Sequence, residues 1–190
     1  MPGHKFDPAH HERLNKPERL KSQPVQPLLD LLELKGQEVL LDLGSGTGYF
    51  LLPAARMVRR AIGLDVSGEM LGMLIESARS AGAGNIEGLL ITEKSIPLPA
   101  AAAQAGLCVN VLHEMDRPED LLSEMRRVLE PGSRFLLADW KKVDTGQGPP
   151  LEHRVSGEQA RRVLEDSGFT GVDSHPVYEN HYVLLGRVPV

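Results

Sequence analysis

The 190-residue chain has one cysteine, Cys108, which excludes an internal disulfide and any site built from paired thiolates. Cys108 sits in an apolar run and reads as core filling in a reducing compartment. Aromatic residues make up only 4% of the chain: one Trp, three Tyr and four Phe. That is too few for a surface that stacks single-stranded bases. Basic residues are also in deficit, 21 against 26 acidic ones, giving a formal charge of −5 with no basic stripe, so no nucleic-acid partner is expected. No apolar run is long enough to span a bilayer, and the opening MPGHKFDPAHHERL has no secretory h-region. A cytoplasmic protein is expected. His4, His10 and His11 lack the i, i+4 spacing of a helical metal pair and the other histidines are scattered, so no metal site is expected.

What remains is ordinary globular composition, 41% hydrophobic and 25% charged, at a length suited to one core. Residues 1–35 read as a polar arm with a short helix at 27–34, ended by Gly36. From residue 36 to 190, short apolar runs alternate with amphipathic stretches. VLLDL at 39–43, AIGL at 61–64, LLI at 89–91, LCV at 107–109 and FLLA at 135–138 are continuous apolar runs, the signature of strands covered on both faces. Between them, Ser67 caps a helix carrying Met70, Leu71 and Leu74. DRPE at 116–119 reads as a capping-box variant with Pro in the first turn, and SGEQ at 156–159 as a second capping box. PAAAAQA at 99–105 is expected to be a helix or a loose connection, and two strands follow Phe169. The alternation gives a doubly wound α/β sheet.

The informative segment is VLLDLGSGTGYF at 39–50. A strand runs into Gly44, Ser45, Gly46, Thr47 and Gly48, where glycines turn the chain sharply and let a ligand lie against backbone N–H groups. The helix that follows would favour an electron-rich group at its N-terminus. Asp65 closes the next strand at the spacing where a carboxylate meets a ribose diol, and it would repel a 2′-phosphate. The spacing is G-x-G-x-G followed by Tyr49, not the G-x-G-x-x-G that seats a pyrophosphate. Asp42, inside the strand, suits a ligand with an ammonium group and opposes a pyrophosphate.

VLLDLGSGTGYF resembles the first motif of class I S-adenosylmethionine-dependent methyltransferases, and AIGLDVSGEML at 61–71 resembles their second. VLHEMDRPEDLLSEMRRVLEPGSRFLLADW at 111–140 is similar to the run from fourth to fifth strand in the small methyltransferases of ubiquinone and menaquinone synthesis. The resemblance implies a mostly parallel sheet of about seven strands ending in a C-terminal antiparallel hairpin. It implies S-adenosylmethionine as cofactor, with Gly44, Ser45, Gly46, Gly48 and Tyr49 around its methionine and ribose parts and Asp42 facing its ammonium. Asp65 would take the ribose hydroxyls, Val66 and Met70 would flank the adenine, and Asn110 and Val111 would border the sulfonium. The spacing of Met70 with Leu71 and Leu74 predicts plain core packing equally well. The family usually places an Asp near Thr92 for the adenine amino group; here Thr92 or Glu93 would substitute.

Methyl transfer is an in-line displacement for which positioning alone can account for roughly 7–11 kcal/mol. His113, just past the fourth strand, is the candidate base, with Glu114 beside it; shaping the pocket is its alternative role. Asp139 and Trp140 end the fifth strand at the same edge and would touch substrate or cover the core. With most of the chain taken up by the fold, the acceptor is expected to be a small molecule, with the N-terminal arm, including Phe6 and His11, as a lid. Two other readings stay open: an NAD-dependent oxidoreductase, suggested by the glycine turn and Asp65, and a non-catalytic protein that binds the same cofactor.

Overall fold

The computed structural model describes residues 17–190. The expected lid residues Phe6 and His11, and the His4 and His10 of the arm, lie outside them. In chain order the elements are α1 (Pro17–Ser22), α2 (Val25–Leu29), β1 (Val39–Leu43), α3 (Leu51–Ala54), β2 (Arg60–Asp65), α4 (Gly68–Ser80), β3 (Ile86–Leu90), β4 (Ala103–Val109), α5 (Pro118–Val128), β5 (Leu129–Trp140), α6 (Gly157–Asp166), β6 (Thr170–Ser174) and β7 (His181–Arg187). They build one seven-stranded sheet in the order β3-β2-β1-β4-β5-β7-β6. The first five strands of that order are parallel, while β7 runs antiparallel to both β5 and β6. This is the doubly wound sheet with its C-terminal hairpin.

Strand periodicity sorts the apolar residues onto two faces. Val39, Leu41 and Leu43 of β1 join Phe135 and Leu137 of β5 in a core covered by Leu122 and Met125 of α5 and Leu164 of α6. Leu40, Leu107, Leu136 and Val183 point the other way, onto Leu28 and Leu29 of α2, Leu51 of α3 and Leu74 of α4. Asp42 falls on this second face, at the carboxyl end of β1. Cys108 is buried in the first core, as its apolar setting implies.

Two helix starts follow the sequence. Ser67 accepts the Met70 N–H, and Ser156 with Gln159 forms a complete capping box. The DRPE segment does not cap: Arg117 occupies the N-cap position, a cationic side chain with no acceptor to offer, and Pro118 alone marks the start. The helix expected at 27–34 lies two residues earlier, as α2 plus a 3-10 turn at Asp30–Leu32. Glu33 in left-handed conformation (φ 49°) ends it, ahead of Gly36. The alanine-rich stretch is not a helix: residues 99–102 form a turn-like connection, and Ala103, Gln104 and Ala105 start β4. Gln104 explains this, because its side-chain carbonyl accepts the Val39 N–H at 2.8 Å and its amide donates to Glu130 at 2.5 Å, stitching three strands together.

Where β1 and β4 diverge, the chain order in the sheet reverses, and the crevice at the carboxyl ends of these strands is where α/β sheets bind ligands. Among the described residues no helix is long and apolar enough to cross a membrane, and no three His, Cys, Asp or Glu side chains gather as a metal site.

Candidate active site

A cavity of about 1580 Å³ opens at this crevice. One end is the turn after β1. Gly44 (φ 72°) and Gly48 (φ 91°) are required for packing as well as conformation. A Cβ at Gly44 would lie 2.4 Å from the Val111 side chain, and one at Gly48 would lie 2.6 Å from Leu74. Gly44, Ser45, Gly46 and Tyr49 line the cavity, whereas Gly48 sits behind it against α4. The turn is partly self-satisfied, since the Gly44 and Ser45 N–H groups donate to the Leu64 carbonyl at 2.8 and 3.1 Å. The helix expected behind it is the four-residue α3, too short to present a strong dipole. What favours a ligand here is therefore side-chain chemistry.

That chemistry is acidic at its base. Asp42 is 3% exposed, and burial, then the neighbouring Asp65, drive its carboxyl pKa well up despite the opposing charge of Arg19. Asp65 accepts the Gly46 N–H at 3.1 Å and the Ser67 N–H at 2.9 Å. Burial raises its pKa, and these backbone donors only partly offset it. Val66, Met70 and Glu93 line the next part of the wall. Met70 touches the cavity but is only 5% exposed, so most of its side chain packs within the protein. Thr92 is not brought to the cavity: it is exposed, and its hydroxyl accepts the Lys94 N–H at 3.3 Å inside a small bridge to Ser95. Of the two residues expected at the adenine, the cavity wall carries Glu93 and not Thr92.

At the end of β4, Asn110 holds a left-handed conformation (φ 61°) and, with Val111, borders the cavity. Its amide donates to Gln23 Oε1 at 2.9 Å, and Gln23 is 2% exposed. Tyr49 reinforces the same junction by donating its hydroxyl to the Gln23 carbonyl at 2.9 Å. The Arg19 guanidinium lies 4.0 Å from the centre of the Tyr49 ring. Burial lowers its pKa, against the charges of Tyr49 and Asp42. Neither Arg19 nor Gln23 belongs to a recognisable motif, and the sequence reading passed over both.

At the far end, His113 Nδ1 lies 2.8 Å from Oδ1 and 3.0 Å from Oδ2 of Asp139, with Nε2 3.7 Å from Glu114. Burial pulls the His113 pKa down, but the hydrogen bond and charge of Asp139, with Glu114, outweigh it and leave it raised. Asp139 thus orients a histidine; Trp140, at the same strand end, lines the cavity. Residues 147–150 and His181 complete this end.

The family model for the methyltransferase domain matches residues 41–137, just over half of the chain. An uncharacterised methyltransferase of Bacillus subtilis, YcgJ, is 28% identical over 59% of this chain and 44% of its own length. The ubiquinone/menaquinone biosynthesis C-methyltransferase UbiE of Methylobacterium nodulans is 32% identical over 79% of this chain and 59% of its own. The chain spans about half the length of these relatives. A SAM-dependent methyltransferase from Aquifex aeolicus superposes with a TM-score of 0.91 at 29% identity, covering 97% of this chain and 100% of that one. With the sheet order, the glycine turn and this match, the chain belongs to the methyltransferase-domain family of class I enzymes, whose cofactor is S-adenosylmethionine.

Proposed function

We propose that the protein methylates a small-molecule acceptor with S-adenosylmethionine, using His113 as the base. The observation that carries this reading is His113, held by Asp139 behind it and lining the same cavity as the Asp42 and Asp65 carboxylates.

The residues present fit the cofactor. Its methionine end is a zwitterion, and a buried Asp42 beside a second carboxylate gains from an ammonium partner, while Arg19 suits the carboxylate. Gly44, Ser45, Gly46 and Tyr49 hold the middle, and Asp65 takes the ribose hydroxyls. Val66, Met70 and Glu93 enclose the adenine; Asn110 and Val111 border the sulfur. Gly48 acts from behind, keeping the turn pressed on α4. Bound there, the cofactor supplies a methyl group already activated on a sulfonium.

With Nδ1–H donating to Asp139, His113 presents a bare Nε2, which accepts the acceptor's proton; the imidazolium that forms is held by Asp139 and Glu114. Helix α1 carries Arg19 and leads directly into Gln23, both of which line the cavity, and it serves as the cover that keeps water out. Among the described residues, short segments wall the cavity here, namely α1 and the connections from β4 to α5 and from β5 to α6, with no added domain, which supports a small acceptor.

Calorimetry with S-adenosylmethionine, S-adenosylhomocysteine and NAD tests the cofactor. Binding of NAD with neither sulfur compound would return the site to a nicotinamide enzyme. Transfer of label from methyl-labelled cofactor to small acceptors, abolished in His113→Ala, tests the reaction; full activity in that variant refutes the base.

A further inference from the structure

His181 opens β7, paired across the sheet with Trp140. It lines the same cavity as His113, is 2% exposed, and has both ring nitrogens buried without a hydrogen-bond partner. Of the other buried side chains with an unpartnered polar atom, Ser45 lines the cavity, at its cofactor end, while His175 and Tyr182 do not.

The ring is fixed from several directions. Its centroid lies 4.1 Å from that of Trp140 and 5.8 Å from that of Tyr178. Tyr178 is tied by its hydroxyl to the Pro24 carbonyl at 2.8 Å. Trp140 is backed by Gly148, where a Cβ would come within 2.7 Å of the indole. That loop is clasped by the buried Arg154, which donates to the carbonyls of Lys141, Val143, Gln147 and Pro149. A ring so firmly placed, with neither nitrogen used by the protein, is a preorganised recognition group.

The charges around it set what it recognises. Burial lowers the His181 pKa to about 4, with Arg19, Arg154 and Lys141 also lowering it against Asp139, so the ring is uncharged at neutral pH. A neutral imidazole offers one N–H and one bare nitrogen. A hydroxyl meets either, because it both donates and accepts. Glu114 and Asp139 beside His113 oppose an anionic acceptor.

We infer that His181 is the hydrogen-bond anchor for the methyl acceptor, and that the acceptor is a small uncharged molecule carrying a second hydroxyl besides the group that gives its proton to His113. The inference rests on the methyltransferase reading above.

The test uses the full chain saturated with S-adenosylhomocysteine, as wild type, His181→Gln and His181→Phe. Each is titrated with phenol, catechol and resorcinol, and the His181 nitrogens are followed by NMR, with His181→Gln identifying their signals. At least one diol binds the wild type about tenfold more tightly than phenol, the worth of one added hydrogen bond. That preference disappears in His181→Phe, is partly kept in His181→Gln, and the diol shifts the His181 signals; affinity for S-adenosylhomocysteine is the same in all three. No diol preference, a preference that survives in His181→Phe, or signals unmoved because a retained water keeps the ring, overturns the anchor. Failure of S-adenosylhomocysteine to bind the wild type overturns the cofactor reading instead, and the same diol titration of the ligand-free chain then decides His181.

Discussion

His113 and Asp139 stand 26 residues apart in sequence, and the carboxylate grips the histidine at both its ring and its backbone. Nδ1 lies 2.8 Å from Oδ1, and the His113 N–H donates to Oδ2 at 3.1 Å. Asp139 is 1% exposed and also accepts the Trp140 N–H at 2.7 Å. One buried carboxylate therefore fixes the ring, its tautomer and the backbone that carries it.

Replacing Asp139 with Asn separates orientation from charge. The base form of His113 is needed, so kcat falls as pH drops through its raised pKa. In Asp139→Asn burial acts with less opposition and the inflection moves to lower pH, while kcat drops about 10²-fold or more. A pH–kcat profile reads both, and cofactor affinity stays unchanged. Stability has the opposite sign: the ion pair stabilises fully below the ordinary histidine pKa, and that stabilisation is lost as pH climbs through the raised value. An unmoved inflection removes His113 from the role of base.

Asp42→Asn trades stability against affinity. The Asp42 pKa is raised, so the folded state holds its proton more tightly than the unfolded chain does. Its contribution falls as pH rises from the ordinary carboxylate value of about 3.9 through the raised one, and at neutral pH the buried charge costs stability. The Asn variant melts higher at neutral pH, about 2–4 °C for each kcal/mol regained, and the advantage vanishes in acid. It binds S-adenosylmethionine more weakly by about 1–3 kcal/mol. Equal affinity, measured by calorimetry, would detach Asp42 from the ammonium.

The elements most legible in the sequence were those whose signal is local. The apolar runs gave β1 and β2 to within a residue at each end, and Ser67 and Ser156 marked their helix starts through bonds that span three residues. Asp42, Gly44 and Asp65 were legible because the turn and its carboxylates lie on two adjacent strands. What failed depended on distant partners. The last three residues of the alanine run joined β4, where Gln104 reaches β1 and β5. Arg19, Gln23, the Asp139 grip on His113 and the unpartnered His181 needed the sheet order, since no spacing in the chain announces which loops meet at one edge.

Asp65 does two jobs, and two variants tell them apart. Its carboxylate holds the Gly46 and Ser67 N–H groups, so Asp65→Ala frees both donors and costs about 1–3 kcal/mol of fold stability besides cofactor affinity. Asp65→Asn keeps an acceptor for one of the two N–H groups and gives up the charge-assisted bond to a ribose hydroxyl. It retains part of the stability that Asp65→Ala loses, and it loses roughly 1.5–3 kcal/mol of binding. Urea melts beside calorimetry give the two quantities, and an Asn variant that binds like wild type would move the ribose elsewhere.

Trp140, the chain's only tryptophan, reports on the loop above the acceptor space. Gly148 has φ 82° and touches the indole so closely that Gly148→Ala forces either the loop or the ring to move. Overpacking and a left-handed alanine together cost about 1–3 kcal/mol. Arg154→Lys acts from the other side: its guanidinium, 4% exposed, serves four carbonyls of that loop, and an ammonium has only three donors. Both variants change the emission and acrylamide quenching of Trp140 and raise the acceptor KM, while the affinity for S-adenosylmethionine, set at the other end of the cavity, does not change. Equal losses for cofactor and acceptor would mean that the loop supports the whole fold and shapes no separate acceptor space.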